Sequence, residues 1–78
     1  MHPQKVCREK LEKLTDLPNI GPAAASDLML LGIEHPSALI GQDAYLLYEE
    51  LCRLTRQRHD PCVIDVFLSV IRFMEGEP

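Results

Sequence analysis

Residues 17–33 read LPNIGPAAASDLMLLGI, and this stretch decides the fold. It opens with a reversal too tight for most residues. Gly21 allows the backbone a positive φ, and its missing side chain lets another surface approach closely. Asn19 is the best non-glycine residue for the same conformation. Ile20, between them, is the apolar pin that anchors the turn to a core. Pro22 suits the first position of a helix, where its missing N–H costs nothing. The N–H groups of Ala23 and Ala24 then sit at the positive end of the helix dipole, where an anionic oxygen is favoured. The small residues 23–26 leave that end unobstructed. Ala24, Leu28 and Leu31 form the inner stripe; Gly32 stops the helix, and Ile33 folds back as the apolar residue after a glycine cap.

Outward from this hairpin the periodicity is helical on both sides. Residues 5–15 place Cys7, Leu11 and Leu14 on one face and alternate Lys and Glu on the other, so a helix is predicted there, ended by residues 16–19. Residues 36–40 fit a single short turn of helix closed by Gly41. Asp43 is the N-cap of a longer helix with Ala44, Leu47, Tyr48, Leu51 and Leu54 as its buried stripe, fraying in the polar run TRQRH. Asp60 as N-cap and Pro61 at the first helical position begin the last helix. Its inner face is Val63, Val66, Phe67, Val70, Ile71 and Met74, with Asp65, Ser69 and Arg72 outward. The expected fold is all-α: one domain over residues 1–78, four main helices plus one short one, and no strand.

Composition narrows the function. Apolar residues make up 46% and charged residues 26% of the chain, which is globular rather than disordered composition. No apolar run approaches the length of a membrane span, and residues 1–13 lack the apolar core of a secretory signal, so a soluble cytoplasmic protein is expected. The net charge is −4, unlike the basic face of a dedicated nucleic-acid binder. Its distribution is uneven. Residues 17–42 carry no basic group at all, while basic residues gather in residues 5–13 and again at Arg53, Arg56 and Arg58.

With these features in view, L-P-x-I-G-P-x-x-A-x-x-L-x-x-x-G-I resembles the helix-hairpin-helix motif. Leu17, Pro18, Ile20, Gly21, Ala24 or Ala25, Leu28, Gly32 and Ile33 fall at its positions. The resemblance implies a hairpin whose backbone holds a DNA phosphate without reading bases, through Asn19, Ile20, Gly21, Ala23 and Ala24. Gly32-Ile33, Gly41-Gln42-Asp43, Leu47-Tyr48-Glu49 and the His59-Asp60-x-Cys62-Val63 start of the last helix extend the match. Over nearly the whole chain the sequence is similar to the small pathogenicity-locus family, whose members are also labelled mitomycin-resistance proteins. A related hairpin arrangement occurs in the carboxy-terminal domain of TfoX-like competence regulators. Two departures stand out: Asn19 replaces the first hairpin glycine, and Ala23 stands where a basic residue commonly follows Gly-Pro. Sequence-independent DNA affinity comes mainly from neutralised phosphates, so a hairpin offering only N–H groups binds weakly. Arg53, Arg56 and Arg58 are the candidate supporting cations, alongside a plain role as a solvated helix end. A single hairpin also needs a second motif or a homodimer to face both strands.

The remaining residues point away from chemistry. No HExxH, phosphate loop or nucleophile with a neighbouring base is present, so neither catalysis nor a cofactor is expected. Cys7, Cys52 and Cys62 read as buried free thiols. The alternative, a metal site from Cys52, His59 and Cys62 with Cys7 or His35, lacks a recognised ligand spacing, and no metal is expected. Tyr48 reads as core with its hydroxyl at the rim. The rival to DNA contact is a protein-interaction module in which the uncharged hairpin and residues 23–26 dock a partner helix or a second copy.

Overall fold

The computed structural model describes residues 11–76. A 3₁₀ turn at Leu14–Asp16 precedes three α-helices, α1 (Pro22–Leu30), α2 (Ala44–Thr55) and α3 (Cys62–Met74); a second 3₁₀ turn at Pro36–Leu39 lies between α1 and α2, and no strand occurs among the described residues. None of the helices is long and apolar enough to cross a membrane.

The first predicted helix is the main correction. Its residues 5–10 lie outside the described residues, and residues 11–13 are not helical. Only a 3₁₀ turn follows, at Leu14–Asp16. The reason lies in Asp16 and Pro18. The Asp16 carboxylate turns back to accept the N–H groups of Glu12 (3.2 Å) and Lys13 (3.0 Å), the local side-chain bonding by which aspartate competes with a helix. Pro18 in turn holds Leu17 extended (φ −72°, ψ 146°), as the residue before proline prefers. Leu11, Leu14, Leu17 and Ile20 are all buried. Their spacing of three suits a tight turn entering the core, where the sequence suggested an α-helical stripe.

α1 matches its reading at both ends. Pro22 occupies its first position. At the other end Ile33 N–H donates to the Leu28 carbonyl and Gly32 N–H to that of Met29, both at 3.0 Å, with Gly32 at φ +83°. This is the paired carbonyl closure that glycine permits. Ala25 and Leu28 are buried, with Ala24 and Leu31 packed at the margin.

The core lies mainly between α2 and α3, whose mutual contact is the most extensive, while α1 packs on α2 and the Pro36–Leu39 turn on α3. Leu28 of α1, Leu39 of the Pro36–Leu39 turn, Leu51 of α2 and Phe67 and Val70 of α3 are fully enclosed. Asp43 caps α2 as expected, accepting from Tyr45 (2.9 Å) and Leu46 (3.2 Å). Leu54, assigned to the α2 stripe, is instead 44% exposed, because α2 turns that side past the edge of the core. α3 begins one residue later than expected, at Cys62, yet Asp60 still accepts the Cys62 N–H at 2.9 Å. Its inner face is as read: Phe67, Val70, Ile71 and Met74 are buried, and Val63 and Val66 half-buried. Cys62 is exposed and Cys52 half-buried, so the expectation of buried thiols fails at Cys62, which sits on the open first turn of α3.

Candidate functional site

The segment expected to form the hairpin is a four-residue turn ahead of α1. Ile20 N–H reaches the Leu17 carbonyl at 3.4 Å. Pro18 takes the second place and Asn19, at φ 62°, the third. That is the arrangement of a type II turn, in which proline fixes one residue and the next needs a positive φ. The left-handed residue is therefore Asn19. Gly21 is not left-handed: its backbone is extended, at φ −90° and ψ −178°, which corrects the expectation that it supplies positive φ. A Cβ built at Gly21 would stand in open space. Neither conformation nor packing demands glycine there, although glycine is a fair N-cap. Ile20 is buried, the pin it was expected to be.

The consequence falls on the first turn of α1. The Gly21 carbonyl accepts the first helical bond, from Ala25 N–H at 3.0 Å. No side chain caps this end, and the first turn holds no acidic residue. Pro22 has no N–H to offer, so the open donors are those of Ala23 and Ala24. α2 and α3 differ: Asp43 and Asp60 spend carboxylates on their first-turn N–H groups. Asn19, Gly21 and Ala23 are exposed and Ala24 half-buried. The arrangement can receive one anionic oxygen on two backbone donors at the positive end of a short helix.

The arginines are not equivalent. Arg53 holds Glu50 through both its Nε and a terminal nitrogen. The pair keeps the Glu50 carboxyl below its usual range and raises Arg53. Arg56 and Arg58 are exposed and form no ion pair among the described residues. Arg56 ends α2 in a left-handed conformation, φ 56°. No hydrogen bond or ion pair ties the three to the turn before α1: Arg53 lies in the last turn of α2, and Arg56 and Arg58 in the segment that follows it.

The turn from α2 to α3 holds a cluster that sequence spacing framed as ligands. Thr55 Oγ1 donates to the Leu51 carbonyl and lies 2.8 Å from His59 Nε2. With its proton spent on the carbonyl, the hydroxyl accepts from His59, which fixes the proton on Nε2. His59 N–H donates to Cys52 Sγ at 3.4 Å, and the buried Tyr48 donates its hydroxyl to the His59 carbonyl. Burial, with a contribution from Cys52, pushes the Tyr48 phenol up. Among the described residues no three of His, Cys, Asp and Glu gather as a metal-ligand set. Cys52 and His59 meet through hydrogen bonds that brace the turn. Cys7, named in the metal alternative, lies outside the described residues. Tyr48 is core with a rim hydroxyl, as read; its bond to His59 spans eleven residues and has no local sequence signal.

A groove of about 240 Å³ runs between the first 3₁₀ turn and α1, with Leu14, Ala25 and Met29 as its apolar lining and Glu12, Lys13 and Glu34 at its rim. Glu34 therefore lines this groove.

Over 65 residues the chain is 35% identical to a protein of Streptomyces lavendulae named mitomycin resistance protein McrB, a match covering 83% of this chain and 62% of that protein. The chain thus spans less than two thirds of that relative's length. No solved structure matches. The model of the family described as pathogenicity locus (Cdd1) matches residues 7–78, and the chain belongs to that family.

Proposed function

We propose that this chain is a small, non-catalytic, cytoplasmic module of helix-hairpin-helix type that holds the DNA backbone weakly and without base preference. The observation that carries it is the uncapped α1 terminus behind Gly21, where no side chain takes a first-turn N–H, while aspartates accept first-turn N–H groups of α2 and α3. Asn19 supplies a polar edge to that site and Ile20 its anchor. Arg56 and Arg58 supply the positive field; Arg53, bound to Glu50, contributes less. If these two arginines each neutralise one phosphate, log K falls with log salt at a slope of about 2.

The test is fluorescence anisotropy of labelled duplex, nicked and single-stranded DNA at low and at physiological salt, with Gly21→Asp as the discriminating variant. Aspartate caps α1, which adds a few tenths of a kcal/mol over glycine and about 0.3–1 kcal/mol from its charge at the positive end of the helix, and it places a negative charge where the phosphate would sit. The reading expects lost binding in a protein that melts higher. Wild-type protein that fails to bind at low salt, or Gly21→Asp that binds as well as wild type, overturns it.

A second reading rests on Met29 and Leu30, each 56% exposed on α1. In it the hairpin and residues 23–26 dock a partner helix or a second copy, and no DNA is held.

A further inference from the structure

α2 carries more apolar surface than its core contacts use. Its inner side buries Ala44, Leu47, Tyr48 and Leu51, yet Tyr45, Leu46 and Leu54 are 65%, 68% and 44% exposed. They are half of the six large apolar side chains left exposed among the described residues, so the surplus concentrates on this helix. At about 100° per residue, Leu46, Glu49, Glu50 and Arg53 fall in one stripe opposite the buried side, with Tyr45 and Leu54 at its edges. The stripe carries both signs of charge, and Arg53 already grips Glu50 within the chain.

We propose that this outward face of α2 pairs with the same face of a second copy, antiparallel, about a two-fold axis passing between Leu51 and Cys52. A two-fold contact requires a self-complementary patch. A parallel pairing sets Glu50 against Glu50 and Arg53 against Arg53. The antiparallel one sets Arg53 of each copy against Glu49 and Glu50 of the other. It also brings Leu46 within one helical turn of Leu54 of the second copy, so the apolar ends close over the charged centre. A helix of twelve residues is only about 18 Å long, so the buried area lies below the roughly 1,200 Å² of a tight complex. The association is weak, with a Kd of about 0.1–1 mM. It stands apart from the hairpin reading, because it is measured as oligomeric state with no DNA present.

Sedimentation equilibrium of the full chain at physiological salt, up to about 1 mM, tests it, with circular dichroism to confirm helix content. Wild-type protein is expected to self-associate. Leu46→Gln, at an exposed position, loses an apolar contact twice per dimer and raises Kd about tenfold or more. Glu50→Arg and Arg53→Glu each place like charges across the axis and leave monomers. An equimolar mixture of those two variants pairs a mainly basic centre, in which Glu49 alone stays acidic, with an all-acidic one and regains association, which loss of the internal ion pair alone would not produce. A wild type that stays monomeric throughout, a Leu46→Gln dimer as tight as wild type, or a mixture that stays monomeric overturns the proposal.

Discussion

Two non-glycine residues hold positive φ among the described residues, and they are not alike. Asn19 suits the conformation because its short polar side chain tolerates the left-handed region. Arg56 does not. It stands just past α2, where Gln57 N–H closes on the Cys52 carbonyl at 3.2 Å and where glycine is usual. The left-handed conformation costs an ordinary residue about 1–2 kcal/mol, so Arg56→Gly is expected to stabilise the fold by about 1 kcal/mol, read as a higher urea midpoint. An outlier kept at such a cost motivates a functional role. In the DNA reading the same variant weakens binding while it stabilises. At the hairpin, Asn19→Gly is expected to be nearly neutral and Asn19→Val to cost about 1–2 kcal/mol, again by urea unfolding.

At the scale of the elements, the caps set how the protein meets acid. Asp16 is held below the usual aspartate range by the N–H groups of Lys13 and Glu12, and Asp60 by the Cys62 thiol and N–H. Cys62, in return, is raised by its bond to Asp60, which keeps this exposed thiol in its less reactive form. A carboxylate whose pKa is lower folded than unfolded contributes stability that is fully present above the unfolded value, about pH 4. That contribution fades as pH falls through the lower folded value. Thermal melts of Asp16→Asn and Asp60→Asn should therefore differ most from wild type above about pH 5 and converge with it near pH 2. Asp43→Ala, which removes the α2 cap, is expected to cost about 1 kcal/mol. These ends were legible because capping is local: Pro22, Gly32-Ile33, Asp43 and Asp60 each act within a few residues. The end of the first predicted helix, over residues 11–15, was not, because Leu11 and Leu14 fit a spacing of three as well as one of three to four, and the carboxylate of Asp16 decided between them. Nor was the outward side of Leu54, since its apolar spacing is the same whichever side the core lies on. At the site, the uncapped α1 end was legible from Pro22 and two alanines. The role of Gly21 was not, because the turn type assigned the positive φ to Asn19.

For the whole molecule, what matters is how little holds the three described helices together. Stability of about 0.05–0.15 kcal/mol per residue gives a chain of 78 residues roughly 4–12 kcal/mol. Phe67 is fully enclosed where α3 meets α2, and Phe→Ala in such a place costs about 3–5 kcal/mol. Glu75, just past α3, accepts the Gly41 N–H at 2.9 Å across 34 residues, the tie that fastens the end of α3 to the turn after Pro36–Leu39. That contact is exposed, so Glu75→Ala is expected to cost about 1 kcal/mol or less. The two variants together distinguish a shared core from stacked independent parts. Leu28 of α1, Leu51 of α2 and Phe67 of α3 belong to one buried cluster. If that cluster folds as a unit, Phe67→Ala lowers the urea midpoint for the whole helical signal in one transition. Leu28→Ala, at about 2–5 kcal/mol, does the same from the opposite side. A Phe67→Ala protein that loses only part of its helical signal at low urea would show instead that α1 and its hairpin keep their shape without the α2–α3 pair.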